Sequence, residues 1–385
     1  MAIKRIDELC TIKGRIGFRG YTKKDLVSEG NGAITLSPAN IKDNKLYFDK
    51  CSYISWYKYD ESPEIQLEIG DIVYCKTASI GKLAIIEYLP EKATLNPQFI
   101  VLKNINCNRR FLYHALTSTN FFRQVEQIIS GVAVPTVSQA NFGNLVINVP
   151  ALPEQQEIAA HLDSIQTAID NKKQQIQQLD ELVKSKFVEM FGDLNINSMN
   201  WAVVNFDDAA KIDGNMTKDY EKYADYPHIG IDSIMKNTGE LIGYRTVKED
   251  NVISGKYIFT DKHIIYSKIR PNLNKVALPT FEGLCSADSY PILVNSEKCN
   301  RYYLAYVMRS DFFLTYILAH ASRAGMPKVN REQIRGFNFP LPPIELQNTF
   351  AEYVQKIDSA KSIIKNQLTD LKELLDSKMD EYFGE

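Results

Sequence analysis

The second half of this chain repeats the first. Residues 107–193 align with residues 299–385 at an offset of 192 without a gap, and 24 of those 87 positions are identical. Cys107, Asn108 and Arg109 meet Cys299, Asn300 and Arg301; Pro135 and Val137 meet Pro327 and Val329. Pro150 and Gln155 meet Pro342 and Gln347, and Phe191-Gly192 meets Phe383-Gly384. The same offset pairs "IVYCK" at 72–76 with "IIYSK" at 264–268, and an offset of 200 pairs "IDELCTI" at 6–12 with "FDDAAKI" at 206–212. The copies diverge most between about 13 and 71, where the first has eight more residues. A solenoid repeats every 20–50 residues or so, so a period this long means two copies of one domain-sized unit.

Each copy ends on a helix. Between Glu154 and Gly192 there is neither Gly nor Pro, and apolar residues fall at Ile158, Leu162, Ile165, Ile169, Ile176, Leu179, Val183 and Met190. Steps of four and three alternate, which is a heptad seam. The second copy gives Phe350, Val354, Ile357, Ile364, Leu368, Leu371, Leu375 and Tyr382, and Lys172, Lys186, Lys361 and Lys378 fill the gaps. Each helix is expected to run ~35 residues, so ~50 Å. Pro153 and Pro343 stand near the helix starts, and Gly192 and Gly384 suit a left-handed closing residue. Each seam needs a partner, and the other copy supplies one; packing of each helix on its own domain is the alternative. Antiparallel pairing would place the globular parts at opposite ends of a rod and relate the halves by a pseudo-twofold axis. The expected class is α+β: two mixed globular domains, 1–150 and 194–342, separated by long helices at 151–193 and 343–385 that form an antiparallel coiled coil.

Composition excludes several classes. No apolar h-region follows the N-terminus and no run approaches the ~18 apolar residues of a membrane helix, so no membrane role and a cytoplasmic location are expected. The six cysteines contain no CxxC pair and the five histidines no HExxH, so reduced thiols and no metal site are expected.

The overall charge of −2 conceals a division. Residues 1–150 and 194–342 carry net +4 and +2, whereas 151–193 and 343–385 each carry −4. Three kinds of basic cluster stand out. "KGRIGFRGYTKK" (13–24) interleaves Lys13, Arg15, Arg19, Lys23 and Lys24 with Phe18 and Tyr21. "YCKTASIGK" (74–82) and its counterpart "YSKIRPNLNK" (266–275) set Lys76, Ser79 and Lys82, and Lys268, Arg270, Asn272, Asn274 and Lys275, just past a strand. "SGVAVPTVSQANF" (130–142) matches "SRAGMPKVNREQIR" (322–335), which holds Arg323, Lys328, Asn330 and Arg331. These residues have the donors for phosphates and purine edges; solvated loops or connectors are the alternative. "SIGK" lacks the full spacing of a P-loop.

Catalytic patterns are missing. "NPQF" (96–99) approaches the Asn-Pro-Pro-Phe/Tyr loop of amino-methyltransferases, but Gln98 replaces the second proline, no Gly-rich turn is present for the methyl donor, and the offset gives "DSYP" (288–291) as counterpart. No E-x-K triplet or recurring nucleophile set occurs, so no catalytic residue is assigned.

The helix entries "VINVPALPEQQEIAAHLDSI" and "FNFPLPPIELQNTFAEYVQKI", with the "GDIVYCKTASIGK" strand and loop and "AGMPKVNRE", resemble the specificity subunit of type I restriction–modification enzymes along the whole chain. In the second copy, Leu346 and Thr349 depart from the pattern. The resemblance implies a non-catalytic subunit whose two domains each read one half of an asymmetric bipartite site in double-stranded DNA, with the paired helices as a ruler. It implies two methyltransferase subunits that flip and methylate adenine, and restriction subunits. S-adenosylmethionine, ATP and magnesium would belong to those partners and none to this chain. The competing reading is a coiled-coil scaffold that binds proteins and not DNA.

Overall fold

The computed structural model describes residues 2–131, 133–321 and 327–384. Two long helices dominate it, Leu152–Phe191 and Ile344–Phe383, 40 residues each. They are about 60 Å long, exceeding the expected ~50 Å. The extra length lies at the start: Pro153 falls inside the first turn, where its missing N–H costs no hydrogen bond. The chain divides into two compact units, Met1–Lys173 with Asn366–Glu385, and Gln174–Lys365. Each unit takes part of both long helices.

In the first unit, strands Thr11–Gly14, Phe99–Lys103, Ile72–Cys75 and Leu83–Ile85 form an antiparallel sheet in that order. The central strands are apolar on both faces because both faces are covered. Ile72, Tyr74, Ile100 and Leu102 join a core with the short helices Arg109–Thr117 and Thr119–Gln127 and with Ile158 and Leu162 of the first long helix. Val73, Cys75, Phe99 and Val101 point the other way, into a second core with Ile34, Leu36, Ala93 and Leu95. That alternation is the two-residue period of a strand. The second sheet runs Ala93–Leu95, Gly32–Leu36, Ser52–Ser55 and Leu26–Val27, with its first pair parallel.

The second unit repeats this plan. Ala210–Ile212, Ser289–Val294, His263–Ser267 and Val276–Ala277 form the equivalent sheet, backed by helices Arg301–Arg309 and Asp311–His320. Its second sheet keeps a parallel pair, Pro227–Ile229 beside Gly283–Cys285, but has five strands. In each unit the first strand pairs with the strand that leads into a long helix, Ala2–Arg5 with Val146–Val149 and Ala202–Asn205 with Asn338–Leu341.

Within the second unit the long helices run antiparallel. Asp180 meets Lys361 at 2.6 Å, and one turn and more further along, Phe187 and Phe191 pack edge-on against Phe350. In the first unit, His161 bonds Tyr382 at 2.8 Å and Phe383 joins Ile158 and Leu162 in the core. Of the seam positions, Ile158, Leu162, Ile165, Ile169, Val183, Phe350 and Val354 are buried, whereas Ile176, Leu179, Ile357, Ile364, Leu368, Leu371 and Leu375 are half-buried. Ile158 and Leu162 join the first unit's core together with Phe383 of the other helix, and Val183, Phe350 and Val354 join the second unit's core, so both packing readings hold there. Phe187 and Phe191 lie off the heptad seam yet are buried against Tyr303. A straight helix drifts ~20° per heptad, which turns these residues toward the globular core.

Gly192 has φ +75, as expected of a left-handed closing residue, whereas Gly384 does not adopt that conformation. A Cβ at Gly384 would stand 2.3 Å from the Asp380 carbonyl oxygen, so close approach, and not a left-handed turn, demands glycine there. No helix among the described residues is long and apolar enough to cross a membrane. All six cysteines are free thiols.

Candidate nucleic-acid interface

Both units build the same backbone frame where a central strand leaves the sheet. Lys76 follows Ile72–Cys75, and its N–H donates to the Gln98 carbonyl at 2.8 Å. A returning segment closes the frame: Val137 N–H donates to Lys76 O at 2.8 Å, and Ala78 N–H to Pro135 O at 3.0 Å. The hydroxyls of Thr77 and Thr136 lie 2.7 Å apart. In the second unit Lys268 N–H donates to Asp288 O at 3.0 Å, Val329 N–H to Lys268 O at 2.8 Å and Arg270 N–H to Pro327 O at 2.9 Å. Ala78 and Arg270 occupy the same place and both are left-handed, φ +62 and +48.

Strand register corrects one sequence pairing. Phe99 lies opposite Cys75 and Ser289 opposite Ser267. The counterpart of "NPQF" is therefore Ser286–Ala287–Asp288–Ser289, not "DSYP". The segment between the paired strands is two residues shorter in the second copy, a difference regained before Cys299.

The frames match, but their side chains do not. In the second unit Lys328 Nζ lies 3.2 Å and Lys268 Nζ 4.0 Å from the Asp288 carboxylate. Lys268 also donates to the Ala287 carbonyl, and its amine stands 5.0 Å from the centre of the Tyr290 ring. Arg331 stands 5.7 Å from the same ring and donates to the Tyr257 hydroxyl at 3.1 Å. Burial lowers the Lys268 pKa, and the neighbouring charge of Lys328 lowers it further. In the first unit the equivalent of Lys328 is Thr136 and that of Arg331 is Gln139, which donates to Ile12 O at 2.7 Å. Gln98 replaces Asp288 and accepts from Asn96 Nδ2 at 2.9 Å. Lys76 is the one cation among these equivalents, half-buried, with its pKa lowered by desolvation.

Four of the residues expected to touch DNA bond backbone carbonyls of their own unit. Arg15 is buried, donating to Leu95 O at 3.1 Å, Arg19 O at 3.3 Å, Ser62 Oγ at 3.4 Å and Thr94 Oγ1 at 3.3 Å. Asn274 is buried in a left-handed turn and donates to Arg309 O at 2.7 Å. Lys82 and Lys275 are structural equivalents, since their carbonyls accept from Cys75 N–H at 2.7 Å and Ser267 N–H at 3.0 Å. Their amines donate to carbonyls of their own unit, Pro38 at 3.3 Å for Lys82 and Ile231 at 2.7 Å for Lys275.

The remaining candidates are dispersed. Lys13 is exposed on strand Thr11–Gly14, Lys23 is exposed in the turn Lys23–Asp25, and Arg19 lies 3.5 Å from Glu64. Ser79 is half-buried in the loop after Lys76, and Asn272 is exposed in the turn Pro271–Leu273. Asn330 caps the helix Arg331–Arg335, accepting from Gln333 N–H at 2.9 Å. Arg323 lies outside the described residues. Sequence reasoning missed Asp288, Tyr290 and Tyr257; strand register brings the first two beside Lys268, and Tyr257 meets Arg331 from the other sheet. Among the described residues, no group of three or more His, Cys, Asp or Glu is placed to hold a metal ion.

One frame built twice and carrying two sets of side chains, with a long helix after each copy, defines a duplicated recognition protein. The family model described as "Type I restriction modification DNA specificity domain" matches residues 1–181 and 199–373, and the chain belongs to that family as a specificity subunit with two copies of the domain. The chain is 26% identical over 305 residues to the EcoDI specificity subunit of Escherichia coli, covering 70% of this chain and 67% of that one. It is 23% identical over 359 residues to a putative specificity subunit, MjaX, of Methanocaldococcus jannaschii, covering 85% and 80%. Among solved structures, the specificity subunit from M. genitalium matches with a TM-score of 0.60 at 12% identity, covering 100% of this chain and 96% of that one. A chain from a study of complex assembly in the type I system matches with a TM-score of 0.51 at 15% identity, covering 99% and 97%. At these identities the structural likeness concerns the fold.

Proposed function

We propose that this subunit reads an asymmetric, bipartite site in double-stranded DNA, one half-site per globular unit, and catalyses nothing itself. The observation that carries the reading is the duplicated frame with unlike side chains: the same geometry presents Lys76, Gln98, Thr136 and Gln139 in one copy and Lys268, Asp288, Lys328 and Arg331 in the other. Equal frames suit the common shape of duplex DNA, and unequal side chains suit different base sequences. The acidic long helices repel phosphates and fit a spacer that sets the unread gap.

Two methyltransferase subunits would supply adenine methylation and hold S-adenosylmethionine, and restriction subunits would use ATP and magnesium. A second duplication fits two copies of one partner. Glu181, Leu182, Ser185 and Glu189 recur as Glu373, Leu374, Ser377 and Glu381, and all eight are exposed. Burial does not account for identity at exposed positions; binding the same surface twice does.

Methylome sequencing of a host carrying the whole system tests the reading. One bipartite methyl-adenine motif is expected, and exchanging residues 1–150 for those of another specificity subunit should change one half-site alone. A change in both, or in neither, would sink the modular reading.

A further inference from the structure

The two units divide the work of binding unequally. We propose that the second unit supplies the salt-sensitive grip on the DNA backbone through Lys268, Lys328 and Arg331, while the equivalent positions of the first unit contact DNA almost without charge. The inference rests on the DNA-reading function proposed above and says how that function is distributed.

Three cations converge on one frame with a single acid among them. Lys268 and Lys328 share the Asp288 carboxylate at 4.0 and 3.2 Å, and Lys268 and Arg331 stand over the same Tyr290 ring at 5.0 and 5.7 Å. Asp288 neutralises one of the three charges, so an excess of about two remains in a small area, a repulsion that an anion relieves. Lys328 and Arg331 are exposed, so a phosphate can reach them, and Arg331 is braced by the Tyr257 hydroxyl at 3.1 Å. Tyr290 fixes both cations on its face, which reduces the entropy lost when they meet a ligand.

The first unit serves as an internal control. The same hydrogen bonds hold its frame, but Thr136, Gln139 and Gln98 stand where Lys328, Arg331 and Asp288 stand in the other. Hydroxyl and amide groups can bond base edges or phosphate oxygens without displacing counterions, so they contribute affinity that salt hardly alters. Each phosphate neutralised adds about 0.9 to the slope of log affinity against log salt. With one of the three charges held by Asp288, removing the cluster lowers that slope by about 1.8, and removing Lys76 lowers it by about 0.9 at most.

The experiment measures binding of the subunit, assembled with its methyltransferase subunits, to a duplex carrying its motif between 50 and 200 mM salt. The Lys268→Gln/Lys328→Gln/Arg331→Gln variant should lose about 12-fold less affinity over that range than the unaltered complex, and Lys76→Gln only about 3-fold less. Lys328→Gln alone, which changes an exposed side chain, should lower the slope by about 0.9 even if the triple variant folds poorly. Conversely, Thr136→Lys with Gln139→Arg should raise the slope by about 1.8. An unaltered slope in the triple and Lys328→Gln variants, or an equal fall for Lys76→Gln, overturns the inference while leaving the DNA-reading function intact. If the unaltered complex binds its methylated motif no better than random duplex, both fall together.

Discussion

Gln155 reaches from the first turn of the long helix to the backbone N–H of Asn108, which donates to its Oε1 at 2.8 Å, while its amide donates back to Pro150 O at 2.8 Å. The second copy repeats the arrangement: Asn300 N–H donates to Gln347 Oε1 at 2.8 Å, and Gln347 donates to Pro342 O at 2.7 Å. Both glutamines are buried. One side chain thus ties the helix entry to the cap of the short helix behind it. Identity at 108/300, 150/342 and 155/347 has a physical reason in this link. Replacing Gln155 or Gln347 by Leu strands a half-buried N–H and a buried carbonyl, and each change should destabilise its unit by about 2–3 kcal/mol. Urea unfolding measures this; a loss below about 0.5 kcal/mol would show that the link carries no stability.

Arg15 makes a contrasting prediction for a residue that looks like a DNA contact in the sequence. Its guanidinium is buried and bonds Leu95, Thr94, Ser62 and Arg19. Arg15→Met leaves those acceptors without their donor and should destabilise the first unit by about 2–4 kcal/mol. The salt dependence of DNA binding by the folded complex should not move. A lowered slope with unchanged stability would return Arg15 to the interface.

The difference between Arg15 and Ile158 shows what sequence can reveal. Ile158, Leu162 and Val183 are legible because a helix brings residues three and four apart together, whatever surrounds it. Phe187 and Phe191 escaped because a strict 3.5-residue seam ignores the drift that carries them into the globular core. Arg15 escaped because two of its partners lie 79 and 80 positions away on a strand of the other sheet, and only the packing of the two sheets unites them. The same limit hid Asp288. A two-residue length difference shifts the pairing, and a shift of register changes which side chains share a site. The frame was therefore legible as a duplicated strand and loop with Lys268, Lys328 and Arg331 on it, but Asp288, the acid that Lys268 and Lys328 share, was not.

Tyr74 and Tyr266 occupy equivalent strand positions, and in both the hydroxyl is buried without a hydrogen-bond partner. Burial pushes both phenols up from their ordinary pKa, so they remain neutral. A buried hydroxyl without a partner is unfavourable, and Tyr74→Phe and Tyr266→Phe should leave thermal stability unchanged or raise it by up to about 1 kcal/mol. A loss of more than about 1 kcal/mol would reveal an ordered internal water bound to the hydroxyl.

Asp163, on the first long helix, ties that helix to the short helix Arg109–Thr117. Arg110 Nε donates to its Oδ2 at 2.8 Å, and His114 Nε2 stands 2.7 Å from its Oδ1. Burial opposes ionisation of the carboxyl, but bonds to His114 and Arg110 outweigh it and hold the pKa down from 3.8 to about 2. A carboxyl with a lower pKa when folded stabilises the protein above its unfolded pKa and loses that contribution as pH falls through the folded value. The contribution, about 1–2 kcal/mol after solvent screening, should be lost progressively between about pH 5 and pH 1. Asp163→Asn should therefore be less stable than the unaltered chain at pH 7, with the gap closing over that window. Urea titrations across that range decide the point: a gap that stays constant with pH would mean that Asp163 acts through packing and not through its charge.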